Sequence, residues 1–236
     1  ALYRDQISGA LDAKGVEGSQ MDIFRALLRL RQIAINPGMI KHAPRDSYGD
    51  PEEDLSAASP YAHISSAKME SLRMIMDESL QEDHKMLVFS QFVTALKLIS
   101  TDLDRDGRRH ALLTGQTVDR RGVVNDFQTD EELKIFLLSL KAGGVGINLT
   151  SADYVVLFDP WWNPAAERQA VDRAHRIGQK RPVIVYKFIT RGTIEEKILA
   201  LQHKKHRLAG SLLAGEAGED GFLAGMDENA IMDLFR

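Results

Sequence analysis

The chain has 236 residues, 44% hydrophobic and 27% charged, with a net charge of −4, the composition of one globular domain with room for appendages at both ends. It contains no cysteine, which excludes disulfides, zinc ribbons and thiolate catalysis and leaves only His and carboxylates as metal ligands. No apolar run approaches the roughly 20 residues of a membrane span, and the N-terminus lacks a basic-then-apolar signal, so a cytoplasmic protein with no membrane partner is expected.

The first residues already read as mid-helix, with Leu2, Ile7 and Leu11 at helical spacing, as in a fragment of a longer protein. Residues 20–35 form an amphipathic helix on Ile23, Leu27, Leu30 and Ile33, ended by Asn36-Pro37-Gly38. From Lys41 to Ser59 the pattern gives way to a polar stretch with two prolines and an acidic run, expected as a flexible loop. Ser65 or Ser66 can cap a helix over 67–82, with Met69, Leu72, Met76 and Leu80 along one stripe.

A strict alternation follows. Strands are expected at Met86 to Ser90, His110 to Thr114, Lys134 to Leu140, Asp153 to Phe158 and Val183 to Ile189, with helices near 91–104, 119–128, 164–176 and 193–208. Several strands are apolar throughout, as required when both faces of a sheet are covered. The fold class is therefore α/β, a doubly wound parallel sheet flanked by helices, with a helical N-terminal extension. Function is expected in the loops that leave the carboxyl ends of the strands. The tail, 213–236, is Gly-rich and acidic, with a short helical pattern from Asp227 to Phe235. These shifts divide the chain into linker helices and a loop (1–64), the α/β lobe (65–212) and an acidic tail (213–236).

Charge is unevenly spread. Residues 1–64, 65–165, 166–208 and 209–236 carry net charges of −2, −4, +7 and −5, so one stretch holds the positive field.

Four segments carry chemistry. In Gln169 to Gln179, "QAVDRAHRIGQ", helical geometry puts Gln169, Arg173 and Arg176 at i, i+4 and i+7, and Ile177-Gly178 stops the helix at once. Two planar guanidiniums on one face suit a polyphosphate; the plain alternative is a solvated basic face. In Leu137 to Asp153, "LLSLKAGGVGINLTSAD", a buried strand runs into a Gly-rich loop whose backbone N–H groups can approach phosphate oxygens; the plain alternative is a tight turn. In Leu87 to Phe92, "LVFSQF", Ser90 and Gln91 leave a strand end with groups suited to sugar-phosphate contacts, or Ser90 caps the next helix. In Asp159 to Pro164, "DPWWNP", a turn presents adjacent tryptophans, of which at most one is expected in the core while the other can stack on a base or wedge into a groove; the plain alternative is core packing of both.

In this order and spacing the segments resemble the C-terminal RecA-like lobe of the Swi/Snf helicase-like ATPases of helicase superfamily two, over about residues 20–212. "LVFSQF" looks like motif IV, "KAGGVGINLTSAD" like motif V and "QAVDRAHRIGQ" like motif VI, while Ala26 to Ile40 is similar to the link between the two lobes. The family has Cys and His in that link where this chain has Ala34 and Asn36, a departure that touches packing. The resemblance implies that Arg173 and Arg176 are arginine fingers and that Gly146, Asn148 and Gln169 line a nucleotide cleft. It also implies that Ser90, Gln91, Thr114, Gly115, Lys141, Gly143, Gly144 and Trp162 face DNA. The implied cofactors are ATP and Mg²⁺, held mainly by a first lobe. The implied partners are double-stranded DNA, that first lobe and a DNA-bound protein to be remodelled, in a nucleoid or, in a eukaryote, a nucleus. The chain has no GxxxxGK[ST] loop, and neither Asp77-Glu78 nor Asp227-Glu228 follows a strand as a Mg²⁺-binding pair would. His203 and His206 lack a carboxylate at matching spacing and read as a solvated or phosphate-facing helix. The rival expectations are a docking module without catalysis and a lobe of a strand-separating helicase.

Overall fold

The computed structural model describes residues 2–40, 66–140, 147–176, 178–179, 181–209 and 227–235. The polar stretch 41–59, Lys141, Gly143, Gly144 and Gly146, and the Gly-rich part of the tail lie outside the described residues.

Five strands, β1 (Met86–Ser90), β2 (His110–Leu113), β3 (Ile135–Ser139), β4 (Tyr154–Leu157) and β5 (Ile184–Lys187), pair in parallel in the order β2-β3-β1-β4-β5. β1 and β3 are buried at every position, because the alternate side chains of each enter two different cores. Met86 and Val88 pack with Ile135, Leu137, Val156 and Phe158 on one face. That face is closed by Leu72 and Met76 of α2 (Ala67–Gln81) and by Ile99 and Leu103 of α3 (Val93–Arg105). Leu87 and Phe89 point the other way, with Phe136, Leu138 and Val155, beneath Phe127 of α4 (Arg120–Thr129) and Ala170 of α5 (Pro164–Val171). The doubly wound parallel sheet is thus present, with strands shorter by up to two residues at an end than the apolar runs that mark them.

A third core lies beside the sheet. Ile7, Leu11, Ile23 and Leu27 of α1 (Leu2–Ile35) meet Ile194 and Ile198 of α6 (Ile194–Ala209), Ile231 and Leu234 of α7 (Glu228–Leu234), and Trp162. α1 is two helical segments joined at Gly15, whose φ of 66° and ψ of −178° only glycine adopts readily. The tail helix lies one residue inside each expected bound, with Asp227 and Phe235 as its caps and the Asp227 carboxylate accepting from Ala230 N at 2.8 Å. Of the two serines that could cap α2, Ser66 does so, accepting from Met69 N at 3.3 Å.

Two expectations need correction. In α1 the expected Ile23 and Leu27 are buried and Leu30 packs partly buried against the third core, but Ile33 is exposed and the buried side continues through Arg31, which is fully buried, to Ala34 and Ile35. A charged residue holds a core position, which a stripe drawn through apolar residues alone passes over. The expected helix 164–176 ends at Val171. Beyond it the backbone bonds tighten, Arg173 N to Ala170 O (3.2 Å) and Ala174 N to Val171 O (3.0 Å), and turns of i to i−3 type replace the helix.

Candidate functional site

The carboxyl ends of β1 and β4 lie side by side, and the residues leaving them build a buried polar cluster. Asp159, two residues past β4 and fully buried, receives the Ser90 hydroxyl on Oδ1 and the Gln91 backbone N–H at 3.3 Å. Ser90 Oγ in turn accepts from Phe92 N at 3.0 Å, which turns the chain from β1 into α3. On the other side Asp159 Oδ2 takes Arg31 Nη2 at 3.2 Å, and the same nitrogen donates to Pro160 O at 2.6 Å. The Arg31 guanidinium carbon lies over two rings, 5.1 Å from the Phe92 centroid and 4.8 Å from that of Trp162. Beside this pair is a second, Lys68 of α2 with Glu195 of α6 at 2.6 Å, where Lys68 also donates to Phe158 O at 2.9 Å.

Burial pushes the Asp159 carboxyl up to about 6, against the opposing pull of Arg31, the Ser90 hydrogen bond and Lys68. Burial lowers Lys68, with Glu195 working against it. Each charge is expensive alone in a dry site and is tolerated because the four alternate in sign.

The Asp159–Asn163 turn is held from its far side as well. The Glu167 carboxylate accepts from Trp161 N at 2.7 Å and from Lys187 Nζ at 2.7 Å, while the Gln202 amide donates to Trp161 O. Trp162, the indole assigned to DNA, is the buried one of the pair, and Trp161 is half-buried against the third core. Ser90 is likewise buried, with its hydroxyl directed to Asp159 rather than outward. Gln91 is half-buried at the same edge.

Beyond β2, Thr114 is buried in a turn, its N–H donating to Thr117 Oγ1 at 2.9 Å and its hydroxyl accepting from Gln116 N at 3.3 Å. Gly115 is exposed, and its carbonyl accepts from Arg120 at 3.1 Å.

The nucleotide candidates are split by the early end of α5. Gln169 is exposed on the helix, Arg173 is buried in the following turn, and Arg176 is exposed in the bend beyond. The single helical face inferred from i, i+4, i+7 spacing is therefore replaced by one helical residue, Gln169, and two residues of the turn beyond it, Arg173 and Arg176. Burial, and then the Arg176 charge, lower the Arg173 pKa. This turn grips the exit of the Gly-rich loop, with Arg173 Nη1 donating to Ile147 O at 3.4 Å and Leu149 N to Arg173 O at 3.0 Å. Asn148 is exposed there, and its carbonyl accepts from Gln128 at 2.6 Å.

Sequence reasoning missed Arg31, Lys68, Asp159 and Glu195 as a group. Arg31 had one usable signal, its place four residues after Leu27 and eight after Ile23 on the buried side of α1. Asp77 and Glu78 lie on α2, where Asp77 pairs with Arg108 at 2.6 Å.

Residues 67–178 match the helicase conserved C-terminal domain. A parallel sheet of this order carrying that domain is a RecA-like helicase lobe. The Sulfolobus solfataricus SWI2/SNF2 ATPase C-terminal domain superposes with a TM-score of 0.71 at 29% identity, covering 99% of this chain and 90% of that one. The SWI2/SNF2 ATPase core from the same organism in complex with dsDNA gives 0.72 at 29% identity, over 99% of this chain and 46% of that one. The Caenorhabditis elegans homologue of the SWI/SNF-related, matrix-associated, actin-dependent regulator of chromatin, subfamily A, containing DEAD/H box 1, is 38% identical over 173 residues. That match takes in 72% of this chain and 17% of the relative. The chain belongs to the Swi/Snf family of helicase-like ATPases, as its C-terminal lobe.

Proposed function

We propose that this chain is the second motor lobe of an ATP-driven translocase on double-stranded DNA, active only together with a first lobe. The observation that carries the reading is the paired guanidinium turn at the end of α5. Arg173 is buried, Arg176 is exposed, and their mutual repulsion is relieved when a polyanion lies between them. A buried cation beside a second cation fits a nucleotide triphosphate better than it fits a solvated basic face.

ATP with Mg²⁺, held mainly by the first lobe, would supply the phosphoryl group. Closure of this lobe presents Arg173 and Arg176 to the charge that develops in transfer, with the exposed Asn148 and Gln169, and Gly146, assigned to the nucleotide cleft. The DNA grip is assigned to the strand-end loops, Gln91, Gly115 and the Lys141, Gly143 and Gly144 stretch, through sugar-phosphate contacts of low sequence preference. The burial of Ser90, Thr114 and Trp162 makes them supports of that grip in the free lobe. The dsDNA complex of the archaeal relative supports duplex as the track. The object of the work is a protein bound to that duplex, wherever the cell keeps its DNA.

The test is duplex-stimulated ATP hydrolysis by the intact two-lobe protein, beside DNA affinity. Arg173→Ala and Arg176→Ala should each lower turnover by about 10³- to 10⁵-fold while leaving affinity little changed, and Lys should rescue poorly. Near-normal turnover in both would remove these residues from catalysis. Loss of DNA affinity with no hydrolysis to lose would make the lobe a docking module.

A further inference from the structure

The cluster around Arg31 joins parts of the molecule that the sheet itself does not connect. Arg31 lies on α1, 128 residues from Asp159 in sequence and outside the sheet. Its guanidinium touches both strand ends at once, through Asp159 and Pro160 after β4 and through the Phe92 ring after β1. Three residues that the resemblance places toward DNA are bound into the same cluster. Ser90 and Gln91 donate to Asp159, and Trp162 stacks on Arg31.

A buried ion pair is a poor source of stability, because apolar residues of similar volume serve as well or better. Its distinctive property is direction. A planar guanidinium whose Nη2 donates to both a carboxylate and a carbonyl while its face lies over the Phe92 and Trp162 rings narrows the angle between α1 and the strand ends, whereas apolar packing tolerates many.

We infer that Arg31 is a positioning residue that makes the β1 and β4 strand-end loops move as one piece with the inter-lobe helix α1. The inference rests on the motor reading above and deepens it. Movement of the link during lobe closure reaches the DNA-side loops through the Arg31 guanidinium, so hydrolysis and stepping are coupled there. Lys68 and Glu195 extend the same contact to α2 and α6, making the edge rigid on both sides of Phe158.

The experiment uses the intact two-lobe protein and measures duplex-stimulated hydrolysis, displacement of the third strand from a DNA triplex, and the unfolding midpoint. Two variants keep the site electrically balanced: Arg31→Lys, which retains the charge and loses the planar group over the Phe92 and Trp162 rings, and the double variant Arg31→Met with Asp159→Asn, which removes both charges. Both should fold and hydrolyse ATP at nearly the normal rate, while displacement per ATP falls by about 10- to 100-fold, the scale of an ångström-level misplacement. A purely structural role would lower the midpoint, or lower hydrolysis and displacement together, and leave their ratio unchanged. An unchanged ratio in either folded variant overturns the inference. Wild-type protein that hydrolyses ATP without displacing the third strand overturns the translocase reading and this coupling with it.

Discussion

Asp159 illustrates how one residue can be costly and still specify geometry. Its carboxyl sits at about 6 in the folded chain against roughly 3.9 in an unfolded one, so the folded state holds the proton more tightly. The sign follows from that difference. Above the folded value the group is a penalty on folding; as pH falls through about 6 toward 4 the penalty is relieved and stability from this group rises. Between pH 7 and pH 5 the wild type should therefore gain roughly 1 kcal/mol relative to Asp159→Asn, read as a difference in urea unfolding free energies. A constant difference across that range would mean that Asp159 titrates as an ordinary surface carboxylate. Removing the partner is harsher. Arg31→Ala leaves Asp159 buried without its cation and should cost about 3–5 kcal/mol, more than the balanced double variant does.

At the scale of elements, local chemistry and long-range packing divide the work. The ends of α2 and α7 are set by their own first turns, where Ser66 and Asp227 supply an acceptor for a free N–H. Ser66→Ala should lower stability by about 1 kcal/mol without changing the sheet, measurable by denaturant unfolding. Gly15 governs α1 differently. A Cβ there meets nothing within 4 Å, so the cost of Gly15→Ala is backbone strain alone, about 1–3 kcal/mol. A neutral substitution would show that the segment re-forms as one continuous helix. These ends were legible because a cap is a short-range pattern. The end of α5 was not, since Asp172 to Arg176 continue a helical sequence pattern while their N–H groups turn to carbonyls three or fewer residues back in several cases.

For the whole molecule, the field is carried by residues 166–208, with a net +7 in a chain of net −4. DNA binding by this chain should be weak, indifferent to sequence and steeply dependent on salt, because each neutralised phosphate releases counterions. The acidic tail opposes that field, yet it cannot simply be cut away: Ile231 and Leu234 are buried in the third core, and Lys197 caps the last carbonyls of α7. Neutralising Glu216, Glu219 and Asp220 to their amides is the cleaner change. It should raise affinity at low salt, measured by fluorescence anisotropy on a short duplex, with the gain shrinking as salt rises. Equal affinity at every salt concentration would defeat the electrostatic account.

The sequence by itself determined the alternation of strands and helices, the two-sided burial of β1 and β3, and the segments that leave the strand ends, since apolar runs, caps and turn residues are local properties. It also carried the family's motifs, and with them the class of protein. What only the tertiary structure decided is which polar groups meet. Arg31 and Asp159 become partners because the crossovers set β1 beside β4 and α1 packs against that edge. Periodicity along the chain places Arg31 on the buried side of α1, four residues after Leu27, but holds no record of what it meets there. Ser90 and Trp162 therefore read as outward-facing from their loops, while the buried carboxylate and guanidinium of residues far away in sequence turn them inward.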